Sequence, residues 1–394
     1  MDRNDQPSHP QPARGLPLEG VRVIEFSHMV MGPTCGMILA DLGAEVIKIE
    51  PPSGDKTRTM SGVGLGFFRT FNRNKKSVVL DIQTPQGLAS AKELICDCDI
   101  MIENFRPGLM AKLGLDYATL SRDCPGLIYA SHKGFLPGPY ENRLALDEVV
   151  QMMGGLSYMT GPPGRPLRAG ASVNDIMGGM FGAIGILAAL WERRVSGRGQ
   201  EVQSALFENC AFLVASHMQQ AAMAGAPPPP MPARSNPWSV YDVFTLADDQ
   251  QLFIAAVSDK QWDVLCRVLE RPDLLDEPAF ATNAQRVEVR PQLLERLGAI
   301  LRGHDIVALS AKLDAAGLPY APISRPDQLL DDPHLRQSGG LVPMHTAEGG
   351  TTDVVLLPML MDGRRLGVQR PLPRIGEHTE EVLAALSARK HAAQ

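Results

Sequence analysis

A single carboxylate stands at the head of the most apolar stretch of the chain. Asp175 is followed by sixteen residues, Ile176 to Trp191, every one apolar or glycine. A charge at the mouth of an apolar helix is costly unless something uses it. The start of a helix gives a reason to tolerate one, because free backbone N–H groups and the helix dipole favour an anion there. Two readings follow. In one, Asn174 or Asp175 is an N-cap. In the other, the carboxylate is kept for chemistry. Around it lie cations whose placement depends on the fold: His28, Lys56, Arg58, Arg106, His132 and Lys133, then Arg143, Arg165 and Arg168 just before the apolar run.

The elements that would position these groups read as an open α/β sheet. Val21–Phe26 has the pattern of a strand, 32–42 of a helix stopped at Gly43, and Glu45–Glu50 of a second strand, a βαβ unit with parallel strands. The alternation continues with strand 77–82, helix 85–95, strand 99–104, helices near 109–113 and 116–122, and strand 126–131. Ligands of such sheets bind beyond the carboxyl ends of the strands, here the segments 27–31, 51–58, 104–108 and 131–138. A helical pattern covers 144–159, and 176–191 reads as a buried helix shorter than a bilayer span. Four consecutive prolines, Pro227–Pro230, break the chain. Residues 225–330 then read as a smaller α/β domain, with a hairpin over 238–257 and helices over 259–270, 284–302 and 305–316. The larger domain takes 18–224 and 331–394, and residues 1–17 read as a disordered tail.

Composition narrows the function. The 394 residues exceed one ordinary core. A net charge of −6 argues against a nucleic-acid partner. The six cysteines are scattered apart from Cys96-Asp97-Cys98, which is not zinc or redox spacing, and they read as reduced thiols of a cytoplasmic protein. The polar, proline-rich N-terminus has no signal-peptide core, so no membrane attachment is expected. The turn after Phe26 lacks G-x-G-x-x-G, no P-loop follows Gly62–Gly66, and neither H-E-x-x-H nor G-x-S-x-G occurs. The nine histidines show no metal-ligand spacing. Neither a metal nor a resident cofactor is expected.

Several segments, in order, carry a resemblance: Gly20–Phe26 with Gly32-Pro33, Leu42–Glu50, Asn72–Ser77, Glu103–Gly108, Lys133–Phe135, Gly138–Tyr140, the Asp175 helix, Gly197–Gln200 and Gly376–Thr379. Together they resemble the family III CoA-transferases over about Leu18 to Val382. The resemblance implies two ring-like subunits interlocked as a homodimer, with coenzyme A and acyl-CoA as substrates. It implies that Asp175 is the nucleophile, forming an aspartyl anhydride and then an aspartyl-CoA thioester. Amides near Gly178 and Gly179 would stabilise the oxyanion. His28, Asn74, Lys75, Asn104, Phe105, Lys112 and Lys133 match CoA-contacting positions, and Arg106 is a further phosphate candidate.

The chain departs from the oxalate-specific members at Val30, at Pro51 and around Ala233–Trp238, where their glycine-rich loop has no counterpart. The favoured reaction is transfer of CoA from an acyl-CoA such as succinyl-CoA to a short dicarboxylate, with Arg143, Arg165 or Arg168 pairing its far carboxylate. The alternatives are intramolecular transfer within a diacid such as mesaconyl-CoA, a non-catalytic acyl-CoA binder, and a 2-methylacyl-CoA racemase. The racemases use a His-Asp pair where this chain has Leu146-Asp147, and so it lacks one of their bases.

Overall fold

A computed structural model describes residues 15–233, 237–346 and 349–393. The chain divides into two compact units, Met1–Pro232 with Pro333–Gln394, and Ala233–Asp332.

The first unit is built as β1 Arg22–Phe26, α1 Met31–Asp41, β2 Glu45–Glu50, α2 Phe67–Phe71, β3 Lys75–Val79, α3 Pro85–Cys96, β4 Ile100–Glu103, α4 Leu109–Leu113, α5 Tyr117–Asp123, β5 Ile128–Lys133, α6 Asp147–Met153, α7 Leu156–Thr160, α8 Val173–Ser196, β6 Glu201–Ala205, α9 Leu206–Leu213 and α10 Ala215–Ala224. Its six strands are all parallel, in the order β3-β2-β1-β4-β5-β6. Both faces are covered, which is why the central strands are nearly continuous runs of Ile, Val and Met. One face packs Ile24, Ile47, Leu94, Ile95 and Met101 against α3 and the chain's last helix. The other packs Val23, Cys35, Leu39, Ile102, Ala183 and Ile186 between the sheet, α1 and α8.

The second unit has its own core around Leu252, Ile254, Trp262, Leu265 and Leu297. It comprises β7 Val240–Thr245, β8 Gln251–Ala256, α11 Asp259–Val268, α12 Asn283–Glu288, α13 Arg290–Leu301, α14 Ile306–Ala315 and β9 Tyr320–Pro322, the three strands forming an antiparallel sheet. The chain then returns to the first unit with α15 Pro333–Gln337, the hairpin β10 Leu341–His345 and β11 Thr351–Val355, and α16 Thr379–Ala393, whose Val382 and Leu386 join the core under the sheet.

Four expectations are corrected. The tail read over 1–17 does not hold for Leu16, which packs against the α1–α8 core; residues 1–14 lie outside the described ones. The long helix over 144–159 is two helices, because Gly155 turns the chain at φ 83° between them. The apolar helix is neither short nor buried all round. It runs 24 residues and leaves Met180, Phe181, Ile184, Leu187, Trp191 and Val195 exposed along one side. By length and composition it is the one helix among the described residues able to cross a membrane. Not all cysteines are free thiols: Cys96 and Cys124, at the adjoining ends of α3 and α5, are bonded. Cys35, Cys98, Cys210 and Cys266 are free and buried.

Candidate active site

The strand order reverses between β1 and β4, so the crevice at the carboxyl ends of those two strands is where a ligand of this sheet belongs. The loops on either side are pinned together. Asn104, just after β4, accepts the His28 N–H at 3.0 Å and donates to the His28 carbonyl at 2.8 Å. The His28 ring stands edge-on to Phe105, with centroids 5.5 Å apart. Met29 follows at φ 64°, an unfavourable conformation for a side chain that size. Glu103, buried at the end of β4, receives the Phe105 N–H at 2.9 Å and lies 3.5 Å from Lys133 Nζ at the end of β5. Burial pushes the Glu103 carboxyl upward, and Lys133 opposes the shift. Arg106 and Lys112 are exposed on the same side, and Lys133 is half-buried. A cavity of about 190 Å³ is lined there by Pro107, Gly108, Lys133, Phe135 and Gln203.

Helix α8 brings Asp175 to this end of the sheet. It runs from the carboxyl-end side of β5 back towards the start of β6, and its first turns pack on the first turns of α1, which begins directly after the His28 loop. Two glycines allow that approach, and a third, Gly182, lets α8 close on β5. A Cβ at Gly178 would lie 2.2 Å from Met31 Cε, one at Gly179 2.6 Å from the Met31 carbonyl oxygen, and one at Gly182 2.3 Å from His132 Nε2. Ile176 packs with Val30, Met37 and Phe71.

Asp175 is not the cap. Val173 opens α8, so Asn174 and Asp175 both lie inside its first turn. The cap comes from α6: Asp147 Oδ2 accepts the Asn174 N–H at 2.9 Å and the Asp175 N–H at 3.2 Å. The Asp175 side chain makes no hydrogen bond among the described residues. Burial first, and the neighbouring Asp147 charge second, push its carboxyl from 3.8 up to about 7, with Arg168 opposing. An unbonded carboxyl raised this far by burial and a like charge marks a candidate functional group. Asp147 carries a role that composition and spacing did not reveal. The signal available was its place in the Leu146-Asp147 pair.

Residues 18–379 match CoA-transferase family III. The chain belongs to that family. This CoA-transferase is 34% identical over 388 residues, 95% of its length and 97% of the relative's, to the succinate–glutarate CoA-transferase of Agrobacterium fabrum. It is 32% identical over 384 residues, 94% of each chain, to the succinyl-CoA–D-citramalate CoA-transferase of Chloroflexus aurantiacus. Among solved structures, a CAIB/BAIF family protein from Brucella suis superposes with a TM-score of 0.87 at 32% identity, covering 95% of this chain and all of that one (100%).

Not every expected site residue of the transferase is free to act. Asn74 and Lys75 stand at the amino end of β3, both side chains engaged within the fold. Asn74 donates to Asp41 at 2.7 Å and accepts the Gln369 and Arg370 N–H groups at 2.6 and 2.8 Å. Lys75 is fully buried with its ammonium 2.8 Å from Glu25 and 3.0 Å from the Pro33 carbonyl; burial lowers it to about 8, against the pull of Glu25. These contacts bind the fold together and leave nothing for a phosphate. The Gly178 and Gly179 amides are interior to α8, where they bond to the carbonyls of Asn174 and Asp175. They serve packing, not an oxyanion. Arg58 is also spent, forked on Glu50 at 2.6 and 2.7 Å and stacked on Phe68. His132 is buried, its ring held down to about 4 by desolvation.

Of the three arginines, Arg168 bridges to Glu148. Arg143 is exposed, over the Tyr140 ring at 5.0 Å, and Arg165 is exposed. Neither meets a carboxylate among the described residues. Within the 233–238 stretch, residues 234–236 lie outside the described ones. Among the described residues no cluster of three His, Cys, Asp or Glu side chains could hold a metal ion.

Proposed function

We propose that this CoA-transferase moves CoA from succinyl-CoA to a short dicarboxylate of the glutarate or citramalate kind, using Asp175 as the nucleophile. The observation that carries the reading is the Asp175 carboxyl itself, unbonded, raised to about 7 and set one helix turn from the β1–α1 loop.

The Asp175 carboxylate attacks the thioester carbonyl. A C–O bond forms, the C–S bond breaks, and the products are a mixed anhydride and CoA thiolate. The thiolate attacks the Asp175 carbonyl of the anhydride and releases the donor acid, leaving an aspartyl-CoA thioester. The acceptor carboxylate attacks this thioester, expelling thiolate and forming a second anhydride. Thiolate then attacks the acceptor's carbonyl and restores Asp175. No step consumes or releases a proton overall, and no other reagent is needed. His28 and Phe105 border the pantetheine path, while Arg106, Lys112 and Lys133 take the phosphates. Asn104 acts by pinning the loops. Arg143 and Arg165 are the cations free to pair with the far carboxylate of a diacid.

The active enzyme is read as a homodimer, and the support is the apolar side of α8. It continues onto Phe212, Leu213 and Met218, with Phe181 edge-on to Phe212. The protein is assigned to the cytoplasm.

The test is a panel of acyl-CoA donors against mono- and dicarboxylic acids, followed by hydroxylamine trapping and mass spectrometry. Transfer to diacids with a hydroxamate at Asp175 is expected. Transfer with no modification at Asp175 would reassign the nucleophile, and α-proton exchange in deuterated water without an acceptor acid would point to racemisation.

A further inference from the structure

Helix α8 opens with a cap that its own sequence does not supply. Ser172 occupies the cap position without a side-chain bond to the helix. The buried Asp147 carboxylate takes that place from α6, with one oxygen on the Asn174 and Asp175 amides. Its other oxygen accepts from the Gln151 side chain one turn along α6. Gln151 in turn accepts the Ala169 N–H at 2.8 Å. Two buried side chains, four residues apart, therefore grip both ends of the 169–175 segment that presents Asp175.

The grip alters the electrostatics of the helix end. Amides at a helix start ordinarily stabilise the charged form of an acid placed there. Here Asp147 has taken them, and its own charge repels a second one. The charged groups that act on Asp175 are Asp147 on α6, which raises its carboxyl, and Arg168 on the preceding loop, which lowers it; α6 also carries Glu148, and α9 carries Glu208 and Cys210. The first turn of α1, Met31–Thr34, brings none.

We propose that Asp147 is a positioning residue for the transfer reaction: it fixes the first turn of α8 and withholds the amides of that turn from Asp175, leaving the Asp175 carboxylate an undamped nucleophile. This rests on Asp175 being the nucleophile.

The test compares the full-length parent with Asp147→Asn and Gln151→Leu, using succinyl-CoA and glutarate between pH 5 and 9. Asparagine keeps an oxygen for the two amides but removes the charge. The rising acid limb of kcat is expected to move down by about one pH unit, with KM for succinyl-CoA unchanged and the Asp175 adduct still forming. Gln151→Leu keeps the charge but loosens its hold; kcat is expected to fall about tenfold at an unmoved limb. It also decides the matter if Asp147→Asn does not fold. A parental limb in Asp147→Asn, or a parental kcat in Gln151→Leu, overturns the proposal. Failure of the nucleophile assignment shows separately, as a parent enzyme that turns over with no adduct at Asp175.

Discussion

Replacing Asp175 with asparagine is expected to abolish transfer and to stabilise the protein, the second effect appearing only at higher pH. The folded carboxyl sits at about 7 against an ordinary 3.8. Because the folded value is the higher one, the folded state binds the proton more tightly. Below about pH 4 both states are protonated and the group contributes no difference. Between about pH 4 and 7 the unfolded chain ionises while the folded one resists, so stability falls as pH rises. Above about 7 the whole penalty is present. About three units at ~1.4 kcal/mol each set a ceiling of ~4 kcal/mol. Water reaching the partly exposed carboxylate reduces this, and about 2 kcal/mol is the expected observation. Asparagine has nearly the same shape and no charge to desolvate. Denaturation of both proteins at pH 4 and pH 8 measures the term. The variant should be about 2 kcal/mol more stable at pH 8 and equal to the parent, within about 0.5 kcal/mol, at pH 4. Its turnover should be down by about a thousandfold or more. A pH-independent difference, or a variant less stable at pH 8, would mean that the protein welcomes this charge, and the electrostatic case for Asp175 would fall.

Three further substitutions separate packing from binding. Gly178→Ala places a methyl against Met31 and Asn209; it should cost about 1–3 kcal/mol in denaturation and lower kcat by displacing the first turn of α8. Asn104→Ala removes both bonds to the His28 backbone; KM for acyl-CoA should rise about tenfold in steady-state assays while stability changes by about 1 kcal/mol. Lys75→Met leaves the buried Glu25 short of one of its two lysines. It should cost about 3–5 kcal/mol in urea denaturation with KM for acyl-CoA unmoved, and a selective rise in KM would restore Lys75 to the CoA site.

The alternation of strands and helices was legible because each element of the first unit carries a clear period and stop. Gly43 ends α1 at φ 104°, and Pro51 follows β2. Strand order was not legible, since nothing local says that β4 returns to the far side of β1. The crevice beside His28 is therefore a product of topology. Asp175 stood out as the one charge before an apolar run, but its partner did not. Asp147 is 28 residues earlier, and only the packing of α6 on α8 brings the two together. The expected site residues that the fold engages share a cause. Lys75 and Asn74 fall in a cationic, polar motif that reads as surface, yet the sheet encloses that motif with Glu25 and Asp41. Likewise, Gly178-Gly179 suggests substrate access until Met31 is seen to fill the space.

The absence of a glycine-rich turn after β1 now has a physical counterpart. In dinucleotide-binding sheets of this strand order, the helix following β1 receives the phosphates on its free amides. Here α1 begins without a side-chain cap, Pro33 has no amide to give, and the Thr34 N–H is spent on the Val30 carbonyl at 2.8 Å. The start of α1 is instead packed under α8 by Met31 and Thr34. The cations on the β4 and β5 side of the crevice are the exposed Arg106 and Lys112, and Lys133, which also pairs with Glu103. The same switch point is thus kept while its two halves exchange duties. The β1 side supports the helix that carries Asp175, and on the proposed reading the β4–β5 side holds the anionic end of an acyl-CoA.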